Sequence, residues 1–155
     1  IGLNYEEHRV ETGRAVVGNP TIFARYANSQ IGHLAPMIRP KVSGDFDYEG
    51  ELAVIIGASC RHVPRGDAYG VVAGYAPYND GSVRDWQRHT HQFTPGKNFV
   101  GTGPFGPWMV TPDEVGALDA LRLQTRVNGQ VVQSAILAEI LFDIPRQIEY
   151  ISTFT

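Results

Sequence analysis

The run DYEGELAVIIG, residues 47–57, constrains the fold more than any other stretch of the chain. Its second half is an apolar segment of strand length. Its first half sets Asp47, Glu49 and Glu51 at alternate positions. In an extended chain alternate side chains share a face. A chain that builds this strand therefore crowds carboxylates together and must supply something to offset their repulsion.

The remaining pattern is rich in short strands. ELAVIIG reads as a buried strand followed by a turn around VPRGD, and YGVVAGYAPYN as a second β-rich run whose small residues suit close backbone approach. IGLN reads as a strand end. GPWMVT and LRLQTRVNGQVVQ read as further strands, the latter folded at Asn128-Gly129, a strong two-residue hairpin turn. Helical signals are short. YEEHRVETG predicts a helix closed by Gly13, and Ser82 in DGSVRDWQRH is placed to cap another. Ile144, Ile148 and Ile151 recur at helical spacing behind a Pro145 suited to a first turn. Residues 14–40 carry little periodicity and read as loops with short strands. There is no regular strand–helix–strand alternation, so the expected class is α+β, mostly β.

At 155 residues the chain is the size of one domain, and 43% hydrophobic with 19% charged residues is a globular balance. The net charge is −3 without a basic block, which gives no support to a nucleic-acid surface. No apolar run approaches the roughly 20 residues that span a bilayer, so no membrane partner is expected. The single cysteine, Cys60, forbids an intrachain disulfide, fits a reducing cytoplasm, and is most simply a small buried group. The chain starts on IGLNY and stops at Thr155 within an apolar pattern, so the expectation is one domain, 1–155, cut at both ends.

Glu49 and Glu51 can both lean toward one cation, with Asp80 as a third carboxylate at the end of the second β-rich run. Oxygen-only ligands select hard ions such as Mg²⁺, Mn²⁺ or Ca²⁺. On spacing alone, solvated residues on the polar face of a half-buried strand explain the pair as well. GTGPFG, residues 101–106, matches G-x-G-x-x-G but lacks the context of a dinucleotide site. Pro104 removes a backbone donor, and Trp108 onward reads as a strand rather than a helix. His89 and His91 in HTH, His33 and His62 read as solvated polar residues. His8 and Glu11, three apart on a helix, share a face. A carboxylate on one imidazole nitrogen fixes the tautomer and frees the other nitrogen as a base, although a surface pair has the same spacing.

IGLNYEEHRVE, DYEGELAVIIG, VVAGYAPYNDGSVRDWQ and TPGKNF, in that order, closely resemble the fumarylacetoacetate hydrolase family over almost the whole chain. The resemblance implies a mixed β-sheet roll or sandwich with short helices, incomplete at the C-terminus. It implies a bound Mg²⁺, Mn²⁺ or Ca²⁺, a homodimer, and a small-molecule 2-oxo acid substrate. By motif position Glu49, Glu51 and Asp80 resemble the metal ligands, Arg84 and Gln87 substrate-binding residues, and His8, Glu11 and Lys97 catalytic residues. The chain departs from the family pattern at Arg25, Asn98 and Leu137, and it lacks the segment that usually follows a stretch like YISTFT.

The reaction implied first is metal-dependent C–C hydrolysis of an acylpyruvate- or fumarylacetoacetate-type 2-oxo acid. His8, oriented by Glu11, would activate the water, and the ion would steady the enolate left behind. Decarboxylation or isomerisation of a related acid, of the oxaloacetate or 2-hydroxy-hepta-2,4-diene-1,7-dioate type, shares the ion but not the attacking water. A non-catalytic binding protein on the same fold stands as a third reading.

Overall fold

The structure is a computed structural model that describes every residue of 1–155 except Thr12 and Val16. Its centre is an antiparallel pair. Strand β3 (Gly50–Ile56) runs against β4 (Val72–Asn79) in a register from Gly50↔Asn79 to Ile56↔Val72, with an irregularity between Ile55 and Ile56. Strand β6 (Gly103–Phe105) joins the other side of β4 at Tyr78↔Phe105, and β1 (Gln30–Gly32) runs parallel to β6. The sheet order is therefore β1-β6-β4-β3, with β3 at an edge.

Strands β2 (Phe46–Asp47) and β5 (Ser82–Val83) form a small second sheet, and β7 (Arg122–Val127) with β8 (Gln130–Ile136) a third. The β7–β8 turn falls on Asn128 and Gly129, with φ of 51° and 82°. Two left-handed residues in succession give the turn twist that a tight hairpin needs, which is why this dipeptide occupies it.

The helices are short: α1 (Glu6–Glu11), α2 (Arg84–Gln87), α3 (Thr94–Lys97), α4 (Pro112–Val115) and α5 (Ile144–Ile151). Asp143 caps α5 by accepting from the Arg146 N–H at 2.8 Å, and proline sits in its first turn. Ile144 and Ile148 project from one side of α5 into a core with Val63, Ala68, Val72 and Tyr75, against which Leu52 and Val54 of β3 also pack. Side chains alternate along a strand, so this burial turns Glu51 and Ala53 to the other face, opposite Tyr78 and Ala76.

Three local expectations give way to tertiary pairing. The acidic run is not one strand: β2 ends at Asp47 and β3 begins at Gly50, so Tyr48 and Glu49 form a joint between two sheets. Ser82 does not cap a helix. Its pairing with Asp47 draws it into β5, its hydroxyl donates to the Asp80 carbonyl at 2.8 Å, and Val83 takes the N-cap position. Trp108 does not open a strand. Pro107 has no N–H to offer a ladder, and only Val110 pairs, in an isolated bridge to Tyr75. The turn expected at VPRGD, residues 63–67, opens into a 3-10 helix over Arg65–Val71, with Pro64 at its N-cap. IGLN forms no strand: Gly2 makes an isolated bridge to Thr21, and Leu3 has a φ of 55°. The β3, β4 and β7–β8 strands, the short helices α1, α2 and α5, and the mostly-β mixture form as expected.

Candidate active site

The joint at Glu49 is fixed by its neighbours. Its N–H donates to the Asn79 side chain at 3.0 Å, and its carbonyl accepts from the Asp80 N–H at 2.8 Å. The ends of β3 and β4 therefore carry Glu49 and Asp80 side by side. One residue on, the Gln133 side chain of β8 accepts from the Gly50 N–H at 2.9 Å and donates to its carbonyl at 2.8 Å. A Cβ at Gly50 would run into the Thr125 hydroxyl, so the glycine between the two glutamates is what lets the β7–β8 hairpin dock there.

Lys97 answers the opening problem of the crowded carboxylates. Its side chain rises from α3, with the Phe23 ring centroid 4.9 Å from its ammonium, and its Nζ donates to Glu49 Oε2 at 2.6 Å and Asp80 Oδ2 at 2.7 Å. Only 1% of the side chain is exposed. Arg84, at the start of α2, pairs with Glu49 Oε1, with Asp47 Oδ2 at 2.7 Å, and with Gln87 Oε1 at 3.0 Å one turn along. Arg25 pairs with Asp80 Oδ1. Charge-assisted bonds of this kind are the stronger hydrogen bonds in a protein.

These contacts set the proton affinities. Burial pushes the Asp80 carboxyl up, but the Lys97 charge and the hydrogen bonds from Lys97 and Arg25 outweigh it and hold the group below its ordinary value. Burial works against the Arg84 charge, yet Glu49 and Asp47 hold it above the ordinary arginine value. Glu51 is the exception. Among the described residues its carboxylate makes no hydrogen bond or ion pair, and burial first, then the Glu49 charge, push it from 4.5 to about 8. Tyr5 is raised as well, by burial and then by the charge of Glu51.

A cavity of about 340 Å³ follows the open edge of β3. Arg25, Gln30, Glu51, Tyr78 and Asp80 form its polar wall, while Leu52, Val54, Phe105, Leu137, Ile140 and Ile144 supply apolar wall. The sequence-level candidates thus divide. Glu49, Asp80, Lys97, Arg84 and Gln87 form one connected network with Glu51 beside it. His8 and Glu11 meet each other, Nδ1 to Oε2 at 3.4 Å, but their side chains are 51% and 75% exposed and neither lies in the wall of that cavity.

The donor chemistry suits a hard divalent ion: three carboxylates, one of them unpaired and raised in part by its like-charged neighbours. Glu49 and Asp80 are turned onto Lys97, Arg84 and Arg25, and among the described residues no three His, Cys, Asp or Glu side chains converge as a ligand group. An ion here would have to share the oxygens of Glu49 and Asp80 with those cations. Arg25, Asp47 and Thr102 complete the network and were not among the residues singled out for the site. Asp47 is visible in the alternation, and Arg25 as a departure from the family pattern, but the stretch around Arg25 carries no periodicity that would tie it to Asp80.

The chain matches the family model described as fumarylacetoacetate (FAA) hydrolase C-terminal over residues 1–155. It is 37% identical over 155 residues to the mitochondrial oxaloacetate tautomerase Fahd2a of Rattus norvegicus, covering 99% of this chain and 50% of that protein. Among solved structures it is similar to a 5-carboxymethyl-2-hydroxymuconate delta-isomerase from Mycobacterium smegmatis, with TM-score 0.89, 34% identity, and coverage of 99% of this chain and 58% of that one. It is also similar to a fumarylacetoacetate hydrolase from Exiguobacterium antarcticum, with TM-score 0.86, 34% identity, and coverage of 97% and 55%. The chain spans 60%, 53% and 55% of the length of three further relatives, about half to three fifths of each. No helix among the described residues is long and apolar enough to cross a membrane. With the model matched from end to end and these fold neighbours beside it, the chain belongs to the fumarylacetoacetate hydrolase family.

Proposed function

We propose that this chain carries the catalytic core of an enzyme that shifts a proton beside the carbonyl of a 2-oxo acid, as a tautomerase or isomerase. The observation that carries the reading is the Lys97 ammonium held between Glu49 and Asp80, with Glu51 two residues along facing the cavity. The names of the rat and M. smegmatis relatives support the reaction class. Glu49, Glu51 and Asp80 would hold Mg²⁺ or a similar ion, which supplies Lewis-acid stabilisation of the charge that develops as the proton leaves.

The chain's own residues do the rest. Lys97 orients Glu49 and Asp80 and helps keep the Asp80 carboxyl ionised. Arg84 Nη1 donates to the Gln87 carbonyl oxygen at 3.0 Å, and the Gln87 amide donors would be offered to substrate. The cavity's polar wall takes the acid end of the substrate, and its apolar wall takes an uncharged tail. A homodimer, as the family resemblance implies, is part of the same proposal.

One observation favours a second reading, C–C hydrolysis of an acylpyruvate. The His8–Glu11 pair at 3.4 Å has the arrangement of a base with its orienting carboxylate. The hydrolase from E. antarcticum is its named counterpart.

Turnover of oxaloacetate and of an acylpyruvate by the full-length protein and its His8→Ala variant, with Mg²⁺, separates the two. For the tautomerase, enol–keto conversion of oxaloacetate proceeds in both proteins and little acylpyruvate is cleaved. For the hydrolase, cleavage is substantial and falls roughly 10²–10⁴-fold on losing the base. No turnover of either acid would sink both.

A further inference from the structure

We infer that Arg25 is a positioning residue that fixes the direction of the Asp80 carboxylate for cation binding; this rests on the cation reading proposed above. The Arg25 side chain is 9% exposed, and each end of its guanidinium is tied down. Nη1 donates to Asp80 Oδ1 and to the Gly81 carbonyl at 3.1 Å, and Nη2 donates to the Thr102 hydroxyl at 2.8 Å. Thr102 is itself anchored, donating to the Phe99 carbonyl at 2.8 Å. The backbone on either side of Arg25 is held by a single side chain. Asn98 accepts from the Tyr26 N–H at 2.6 Å and donates to the Ala24 carbonyl at 2.9 Å.

The terminal torsion of an aspartate is soft, so its oxygens swing unless something holds them. Here Arg25 takes Oδ1 and Lys97 takes Oδ2. Lysine at position 25 would keep the charge, but a single ammonium is a point donor and does not reproduce the planar fork that joins Asp80, Gly81 and Thr102.

Arg25 affects a cation at this site in two opposing ways. Its charge repels the ion, which weakens binding. Its hydrogen bonds hold a ligand in place, which strengthens binding. The two have opposite signs, so one measurement tells them apart. If positioning dominates, removing Arg25 weakens cation binding; if repulsion dominates, removing it tightens binding.

The test is calorimetric titration of Mn²⁺ into the full-length, metal-stripped protein and its R25Q, R25K and T102V variants, each first checked by thermal melting. R25Q is expected to weaken Mn²⁺ binding roughly 10–100-fold, the usual weight of a partner that orients a metal ligand. R25K falls between R25Q and wild type. T102V leaves the charge in place and still weakens binding, because it frees Nη2. Should R25Q melt too early to titrate, R25K and T102V decide by the same criterion. Binding as tight as wild type, or tighter, in the variants that fold overturns the positioning role while the cation reading stands. A wild-type protein that takes up no Mn²⁺ overturns both.

Discussion

Glu51 is the residue whose environment is least settled by its neighbours, and its proton is the consequence. Its folded-state affinity is raised from 4.5 to about 8, so with metal chelated it stabilises the fold in its protonated form. That contribution is whole below about pH 4.5 and is lost as pH rises toward 8. Asp80, held below its ordinary value, works in the other direction and loses its contribution only in acid. Metal-free wild type is therefore expected to lose melting temperature between pH 5 and 8 more steeply than Glu51→Gln, which has no proton to give up there. Parallel curves would show that Glu51 ionises normally. Lys97 carries the opposite risk. Lys97→Met keeps the bulk but leaves Glu49 and Asp80 facing each other without their shared cation. Breaking a buried pair in this way typically costs about 3–5 kcal/mol, readable by urea unfolding; a loss under about 1 kcal/mol would mean that Arg84 and Arg25 suffice. How far the site was legible follows the same residues. Glu49, Glu51, Asp80, Arg84, Gln87 and Lys97 sit in motifs whose order marks them. Arg25 does not, since its role depends on contacts to residues 80, 81 and 102, far away in sequence.

Elements were legible where local chemistry is decisive and misread where pairing overrides it. The β7–β8 hairpin follows from Asn128-Gly129, and α5 follows from its isoleucine spacing, its Asp143 cap and its proline. The break between Asp47 and Gly50 was not legible, because alternation continues through it. What divides the run is β5, which pairs with Asp47, while β4 pairs from Gly50 onward. Ser82 has the composition of a cap, yet a ladder partner claimed it first. The break matters to the site, since it turns Glu49 toward Lys97 while Glu51 stays on the sheet. Docking of the hairpin on Gly50 keeps this geometry. Gln133→Leu would strip the partner from both the Gly50 N–H and its carbonyl. Leaving a buried polar group unpaired costs about 1–3 kcal/mol. The variant is thus expected to unfold at lower urea and to lose Mn²⁺ affinity along with stability. A stability loss with unchanged Mn²⁺ binding would separate the hairpin from the site.

Across the whole molecule the charges of the site do not cancel. Asp47, Glu49, Glu51 and Asp80 face Arg25, Arg84 and Lys97, so the ionised side chains of the cluster hold one negative charge in excess. The fold can remove that excess by protonating Glu51, which is the direction its raised affinity takes. A divalent ion overshoots it by one positive charge. A divalent ion together with one substrate carboxylate balances it. The ion and an anionic 2-oxo acid should therefore help each other bind, and by linkage the help is mutual and equal. The expectation for the full-length protein is that pyruvate alone shifts the melting temperature little and Mg²⁺ alone shifts it somewhat. The two together should shift it by more than the sum of their separate effects. By mass action a ligand present at 100 times its Kd stabilises by about 2.7 kcal/mol, which is readily seen in a melt. The titration is repeated with EDTA, and with Glu49→Gln, which removes one carboxylate and one candidate oxygen ligand together. Both changes should abolish the synergy. Additive shifts, or pyruvate binding indifferent to EDTA, would mean that the acid does not meet the ion, and the enolate chemistry would then have no place in this cavity.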